Sequence, residues 1–175
     1  MILRNTVKPI KPRLAALCEV MQEMIKVLFI CHGNICRSPM GEYILKDMVM
    51  KRGLSEEFHI ESAATSTEEI GNPVYPPART ELMRHGISCE GHHARQVKRE
   101  DYDNFDIIIV MEKRHADILK NRFFNGDPEG KIRLAMDLAG KYGQSVGDPW
   151  YTGRFKEVYD QLCEASEGLL NELEI

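Results

Sequence analysis

The segment CHGNICRSP at residues 31–39 combines a cysteine, a glycine-containing turn and an arginine at a spacing that suits phosphate chemistry. A short apolar run at residues 25–30 precedes it, and Ser38, followed by a proline, suits the start of a helix as its N-cap. Backbone N–H groups between a strand and a helix N-terminus bind anions, and the same positive field favours the thiolate form of Cys31. Arg37 can donate to two oxygens of one phosphate. A nucleophilic sulfur inside an anion-binding loop predicts a phosphatase.

The same Cys-x5-Arg spacing occurs a second time, between Cys89 and Arg95, and this match is an internal control. The sequence RHGIS at residues 84–88 precedes it and is not an apolar strand, and Gln96 stands where a helix cap would be needed. Spacing alone is therefore weak evidence. The strand before and the helix start after the segment single out Cys31 and Arg37.

The elements that must hold this loop alternate along the chain between strand-like and helix-like patterns. Strands are predicted at residues 25–30, 58–63, 105–111 and 131–136, and helices after the loop up to Gly53, at 78–85, at 112–122 and from 153 onward. This alternation predicts an α/β fold, a single domain with a mostly parallel sheet and helices on both faces. Ligands in such folds bind at the carboxyl ends of the strands, where Cys31 lies.

Composition excludes several classes of function. The 175 residues suit one domain, and a net charge of −4 argues against nucleic-acid binding. No apolar stretch is long enough to cross a membrane, so we expect no membrane partner. Five cysteines, an odd number at irregular spacing, argue against a disulfide framework and favour a reducing, cytoplasmic location. Residues 1–23 make a poor signal peptide, and we expect a flexible N-terminal extension before a domain at residues 24–175.

Several separated segments together resemble the low-molecular-weight protein tyrosine phosphatase family from about residue 25 to the C terminus. They are CHGNICRSP at 31–39, SAATS at 62–66, IGNP at 70–73, HGI at 85–87, ARQ at 94–96 and DPWY at 148–151. The resemblance implies a four-stranded parallel sheet flanked by helices, with the phosphate-binding loop after the first strand. It also implies hydrolysis in two steps, without a cofactor, through a cysteinyl phosphate.

The resemblance assigns roles to individual positions. Cys31 is the nucleophile, Arg37 binds the phosphate and Asp148 is the general acid. Positions that brace the loop through hydrogen bonds in this family are occupied here by Asn34, Ser38, Ser62 and His92. The loop positions that surround the phosphate are His32, Gly33, Asn34, Ile35 and Cys36.

The substrate rim departs from the family pattern in three respects. His32 follows the nucleophile where leucine is common, Glu68 stands at a wall position that is aromatic in some relatives, and Trp150 with Tyr151 replaces a tyrosine pair. The aromatic pair offers flat faces to an aromatic substrate. These departures bear on the choice of substrate, which we expect to be a phosphotyrosine protein, with inorganic phosphate as product and inhibitor and the enzyme a monomer.

The remaining cysteines and histidines have structural and functional interpretations. Cys36 either packs under the loop or forms a reversible disulfide with Cys31 that protects the nucleophile, and the resemblance favours the disulfide. Cys18, Cys89 and Cys163 are interpreted as non-catalytic, with Cys163 in the core. His92, next to His93, fits no standard zinc pattern with Cys89, so we expect no metal.

Two other activities are open to the same fold. A thiol-dependent arsenate reductase needs two further cysteines close together, and the corresponding segment offers Cys89 alone. In phosphoarginine phosphatases of this fold a threonine tends to occupy the position of Ile35, and an apolar isoleucine suits an aromatic ring better than a guanidinium. A catalytically dead phosphate-binding module would be expected to lack the thiol or the acid, and both are present.

Overall fold

The computed structural model describes residues 24–175, and its centre is one parallel sheet of four strands. The extension predicted at residues 1–23, including Cys18, lies outside the described residues. The strands lie in the order β2-β1-β3-β4, with bounds β1 Ile25–Cys31, β2 Phe58–Ala64, β3 Ile107–Val110 and β4 Ile132–Leu134. The predicted fold class, a four-stranded parallel sheet with the loop after the first strand, is confirmed.

The central strand β1 is buried on both faces, which is why its sequence is a continuous apolar run. Val27 and Phe29 point into one core cluster, and Leu28 and Ile30 point into the other. Because side chains alternate along a strand, Cys31 shares the face of Val27 and Phe29. The nucleophile candidate therefore lies at the carboxyl end of one of the two inner strands.

Helices cover both faces of the sheet. The helices are α1 Arg37–Lys51, α2 Pro76–Arg84, α3 Asp101–Asn104, α4 Lys113–Ile118, α5 Ala135–Leu138, α6 Pro149–Thr152 and α7 Phe155–Glu172. The first core cluster lies under α1 and α7, and the second lies under α3 and the segment after α4. A 3-10 turn at Ser55–Glu57 precedes β2, and a π-helical turn at Leu119–Phe123 follows α4.

The start of α1 differs from the prediction. The helix begins at Arg37, and the last residue before it is Cys36 with φ −120°, so Ser38 is inside the helix and does not cap it. The Ser38 hydroxyl is instead directed to the Cys31 sulfur, 3.0 Å away. The proline falls within the first turn, where a missing N–H costs nothing. The helix was predicted correctly, but Ser38 serves the loop rather than the helix end.

Smaller differences lie at other element ends. The strand predicted at residues 105–111 is shorter, Ile107–Val110, and the helix predicted to follow it changes to a π-helical turn after Ile118. Cys163 was predicted in the core but is only half-buried on α7, at the edge of the first cluster. In the described part of the chain, no helix is both long and apolar enough to pass through a bilayer.

Candidate active site

The loop after β1 wraps its polar groups around the sulfur of Cys31. The backbone N–H of Asn34 points at Sγ from 3.3 Å, and the Ser38 hydroxyl lies 3.0 Å from it. The cysteine is 3% exposed, so its sulfur is reached only through the loop that surrounds it.

Asn34 holds this loop in shape. Its backbone has φ 58°, in the left-handed region that asparagine tolerates better than most residues. Its side-chain amide donates to the hydroxyls of Ser38 and Ser62, at 2.9 and 2.8 Å, and its side-chain oxygen accepts from the backbone N–H of Arg95 at 3.1 Å. The Asn34 carbonyl accepts from His92 Nε2 at 2.8 Å. Contacts of this number fix a backbone conformation that would otherwise cost free energy.

A buried carboxylate stands beneath these hydrogen bonds. Glu42 on α1 is 6% exposed, accepts from the Ser62 hydroxyl at 2.5 Å and from Lys46 Nζ at 2.5 Å. Its Oε2 lies 4.0 Å from His92 Nδ1. Burial lowers the pKa of His92, while the Asn34 carbonyl and Glu42 act in the opposite direction. The chain of contacts thus runs from Glu42 through Ser62, Asn34 and Ser38 to the sulfur.

The guanidinium of Arg37 is buried and is aimed at the same cavity as Cys31. Its Nη2 donates to Asp148 Oδ2 at 2.7 Å, and its Nη1 donates to the Val146 carbonyl at 3.1 Å. Glu112 Oε1 lies 3.5 Å from Nη1. A guanidinium held by three acceptors keeps one orientation, which suits bidentate binding of phosphate.

Asp148 reaches Arg37 from the far end of the chain. Its carboxylate caps α6, with Oδ1 accepting from the Trp150 backbone N–H at 3.1 Å, and the next residue, Pro149, begins the helix. The two carboxylate oxygens are therefore fixed separately, one by the cap and one by Arg37. Sequence spacing could not show that a residue 111 positions from Arg37 would contact it.

His115 is a buried histidine near this arginine. Its ring is fully buried, and neither ring nitrogen forms a hydrogen bond, although Nε2 lies 3.2 Å from Glu112 Oε1. The carboxylate is close but not aligned with the N–H direction. Burial, followed by the charges of Arg37 and Arg114, lowers the pKa of His115 to about 3. The imidazole is therefore neutral throughout the physiological range.

Cys36, the second cysteine of the loop, is 6% exposed and lines the same cavity as Cys31. Burial raises the pKa of Cys36 to about 12, with smaller contributions from the charges of Cys31 and Asp148. At neutral pH it is a thiol. Both cysteines are free in the structure, as are Cys89 and Cys163.

A cavity of about 190 Å³ joins the predicted catalytic residues to the rim. The predicted site residues that line it are Cys31, His32, Gly33, Ile35, Cys36, Arg37, Glu68, Asp148, Trp150 and Tyr151. The other four, Asn34, Ser38, Ser62 and His92, lie outside the lining and contact one another beneath the loop. The structure thus separates the predicted residues into those that face the cavity and those that support its floor.

The rim has an aromatic part and an acidic part. Trp150 packs on Tyr75 with ring centroids 4.8 Å apart, and Tyr151 is 85% exposed. In the acidic part, His32 Nε2 donates to Glu68 Oε2 at 3.0 Å. Glu69, beside it, was not predicted; it lines the cavity and accepts from the Asn72 amide at 2.6 Å.

Sequence reasoning missed four side chains of the site: Glu42, Glu69, Glu112 and His115. Two of them had a usable signal. Glu42 lies four residues after Ser38 and four before Lys46, a spacing that places all three on one helix face. Glu112 directly follows the apolar strand that pairs with β1, at the same sheet edge as Cys31. His115 and Glu69 gave no such signal.

Among residues 24–175, no group of three or more His, Cys, Asp or Glu side chains is arranged to hold a metal ion.

Comparisons with known proteins agree on one family. A family model described as low molecular weight phosphotyrosine protein phosphatase matches residues 26–175. YfkJ of Bacillus subtilis, named a low molecular weight protein-tyrosine-phosphatase, is 40% identical over 147 residues, which are 84% of this chain and 94% of that protein. The human low molecular weight phosphotyrosine protein phosphatase is 37% identical over 150 residues, 82% of this chain and 92% of that protein.

Solved structures give the same fold. The crystal structure of YfkJ has a TM-score of 0.82 at 38% identity and covers 87% of this chain and 96% of that one. A Drosophila protein described as an arginine phosphatase has a TM-score of 0.79 at 30% identity, with 86% of this chain and 99% of that one covered. The fold is thus shared by proteins described with different phosphorylated substrates.

Proposed function

The chain belongs to the low molecular weight phosphotyrosine protein phosphatase family, and we propose that Cys31, Arg37 and Asp148 carry out its chemistry. It is a hydrolase that acts on phosphotyrosine in proteins. The observation that carries the assignment of residues is that the cavity lined by Cys31 is also lined by Arg37 and Asp148, which are in direct contact.

In the first step, the Cys31 thiolate attacks the phosphorus of phosphotyrosine. A bond forms between sulfur and phosphorus while the bond from phosphorus to the phenolic oxygen breaks. The electron pair of that bond leaves with the phenolate. Loop N–H groups and the Arg37 guanidinium bind the phosphoryl oxygens, where negative charge is held during transfer.

Asp148 donates a proton to the departing phenolic oxygen. A tyrosine phenolate is a poor leaving group because the pKa of tyrosine is about 10, so protonation lowers the barrier. The contact between Arg37 and Asp148 supports this role, because the guanidinium that binds the phosphate also holds the Asp148 carboxyl group beside it.

In the second step, water attacks the cysteinyl phosphate. The Asp148 carboxylate takes the proton from water, the bond between sulfur and phosphorus breaks, and inorganic phosphate and the thiolate are released. The same carboxyl group therefore acts first as acid and then as base. Inorganic phosphate is both product and competing ligand. No step calls for a cofactor or metal.

The shape of the cavity supports an aromatic substrate. The nucleophile is 3% exposed at the cavity floor, so a short serine side chain cannot bring phosphate there without its backbone meeting the rim. A phenyl ring spans that depth, with Ile35 and the Trp150 indole as its neighbours. Ile35 favours phosphotyrosine over phosphoarginine, because an apolar side chain suits an aromatic ring better than a guanidinium. Cys89 does not line the cavity, so the geometry gives no support to arsenate reduction.

The loop cysteines support a cytoplasmic location and a redox response. Hydrolysis requires a reduced Cys31, and all four described cysteines are free thiols. Cys36 is a candidate partner for Cys31 after oxidation, since both line one cavity.

We place residues 1–23 outside the catalytic domain, because the family match begins at residue 26. A monomer that binds neither nucleic acid nor membrane remains our expectation.

A trapping experiment tests the mechanism. Enzyme quenched in acid during turnover of labelled phosphotyrosine peptide should carry the label on Cys31, identified by peptide mapping. Label on another residue would contradict the cysteinyl phosphate. So would Asp148→Asn enzyme that turns over a labelled aryl phosphate with a good leaving group yet carries no label, because with such an ester only the second step is slowed. Asp148→Asn should reduce kcat by a factor of about 10²–10⁴ for phosphotyrosine and by less for esters with good leaving groups. An equal loss for both would remove Asp148 from the role of acid.

A further inference from the structure

We propose that Glu68 and Glu69 select phosphotyrosine substrates that carry lysine or arginine next to the phosphotyrosine. This inference rests on the proposed function, because both carboxylates line the cavity that contains Cys31. It adds a chemical class of substrate to an activity that by itself requires only phosphotyrosine.

Neighbouring groups do not fully balance the two carboxylates at the cavity mouth. Glu68 is 70% exposed along its side chain and contacts His32, which is charged only when protonated. Glu69 accepts from the neutral amide of Asn72. Within residues 24–175, neither carboxylate lies within ion-pair distance of a lysine or arginine. Even with His32 protonated, one negative charge remains at the mouth.

The positive charge of the cavity lies deeper and is already engaged. Arg37 is the one lysine or arginine among the described lining residues, and it contacts Asp148 and Glu112. A phosphate dianion on its way to Cys31 therefore passes at least one uncompensated carboxylate. Like charges repel, so this arrangement weakens binding of bare phosphate and of acidic peptides.

A cation on the substrate reverses that effect. A lysine or arginine beside the phosphotyrosine would lie at the mouth while the phenyl ring occupies the cavity. Rejection of acidic sequences and attraction of basic ones would then act together, which is how charged rims produce specificity. Because the rim is exposed, each pair is worth about a two- to fivefold change in kcat/KM, and salt reduces it.

Matched peptides test the inference. Three phosphotyrosine peptides should differ only at the positions on each side of phosphotyrosine, with lysine, glutamine or glutamate there. At low salt we expect the lysine peptide to exceed the glutamate peptide by about tenfold in kcat/KM, with a smaller ratio at about 0.5 M salt. The double variant Glu68→Gln, Glu69→Gln keeps the side-chain shape and should bring the ratio close to one.

Two controls separate charge from structure. Glu56→Gln removes an exposed carboxylate in the turn before β2, at the sheet end opposite the cavity, and should leave the ratio unchanged. An aryl phosphate without flanking residues should be hydrolysed faster by the double variant, by up to about twofold, because repulsion is removed. A damaged site would instead slow all substrates by one factor, which cancels from the ratio of the lysine peptide to the glutamate peptide, so the ratio still reports the effect of charge.

The outcomes distinguish this inference from the function on which it rests. Equal hydrolysis of the three peptides by wild-type enzyme, or a ratio that the double variant leaves unchanged, overturns the selection by charge while phosphotyrosine hydrolysis stands. Absence of hydrolysis with every peptide and with the aryl phosphate would overturn the proposed function itself.

Discussion

Two segments of this molecule share the Cys-x5-Arg spacing and have different surroundings. In the first, Cys31 ends β1 and Arg37 begins α1, so the residues between them form a tight loop with both side chains facing one cavity. In the second, Cys89 lies in irregular chain, and Arg95 donates to Asp101 and Glu61 at 2.9 and 2.8 Å. The second arginine is neutralised by two carboxylates, and its cysteine lies in a core cluster.

The second segment nevertheless serves the first. Its His92 donates to the Asn34 carbonyl, and the backbone N–H of Arg95 donates to the Asn34 side chain. The backbone N–H of Ala64 donates to the Arg95 carbonyl and that of Val97 donates to the Ala64 carbonyl, so this segment extends the end of β2, where Ala64 pairs with Gln96. The comparison teaches that the same spacing yields a reactive loop only between a strand end and a helix start. The second copy of the spacing, between Cys89 and Arg95, instead supplies hydrogen bonds that hold the first loop in shape.

The comparison predicts opposite results for the two cysteines. Cys31→Ser should abolish turnover of phosphotyrosine yet keep binding of inorganic phosphate, because the loop N–H groups and Arg37 remain. Cys89→Ser should keep kcat per folded molecule, with at most a loss of stability from a polar group in the core. Steady-state kinetics and phosphate titration by calorimetry check both. Turnover undiminished in Cys31→Ser would end the proposed mechanism.

The two arginines should differ next most strongly. Arg37→Ala should lower kcat/KM by a factor of about 10²–10³, because a donor to the transferred phosphoryl group is lost. Arg95→Ala should lower the free energy of unfolding by about 1 kcal/mol through loss of two partly exposed ion pairs, with a smaller effect on kcat/KM. Denaturant unfolding and kinetics measured on both variants give the comparison. A larger loss of activity in Arg95→Ala would reverse our assignment.

Low pH should reduce the free energy of unfolding, because the buried His115 near Arg37 resists protonation in the folded protein. The pKa of this histidine is lowered to about 3, so between about pH 6.5 and 3 the unfolded chain binds more protons than the folded one. Stability is therefore lost as the pH falls through that range. At pH 4, relative to pH 7, wild type should lose on the order of 3 kcal/mol more than His115→Asn.

The control for this measurement is the replacement of the exposed His59 by asparagine, which removes an imidazole from the surface and leaves the buried His115 ring in place. Denaturant unfolding of the three proteins at several pH values gives the result. Parallel curves for wild type and His115→Asn would mean that the buried ring does not control acid stability.

The smallest predicted difference concerns recovery from oxidation. Mild peroxide should inactivate the enzyme reversibly and yield a Cys31–Cys36 disulfide on peptide mapping. In Cys36→Ser, less activity should return with a dithiol reductant, because Cys31 proceeds to sulfinic or sulfonic acid. Cys163→Ser, on α7, is the matched control. Equal recovery in all three proteins would mean that Cys36 only packs under the loop.

Much of the fold followed from sequence because its signals are local. The apolar run before Cys31 and the periodicity of α7 reflect burial that adjacent residues reveal. Element ends were less accurate. Ser38 has the residue type of a helix cap, but the tertiary contact with Cys31 decides its position. A capping preference of about 1 kcal/mol cannot outweigh the contacts of a buried site.

The site was predicted less completely than the fold. Asp148 and His92 were found only through family resemblance, because their contacts with the loop span 111 and 58 residues. Glu42 and Glu112 carry charges that sequence patterns place in solvent, whereas here each has hydrogen-bonded or charged partners in a partly dry interior. The partners that tie them to the site, Ser62 for Glu42 and Arg37 for Glu112, lie 20 and 75 residues away, and local spacing does not encode those contacts.

The contacts of Asn34 also have a consequence for how the enzyme is made. The nucleophile and its arginine are present early in synthesis, but the loop between them is held by Ser62, His92 and Arg95, and the acid arrives only with Asp148. Closing contacts over such separations delays the assembly of native structure. A nascent chain therefore carries the cysteine that will be its nucleophile long before it has a working site. Regain of phosphatase activity during refolding would time the closing of these long-range contacts rather than the formation of the first strand and helix.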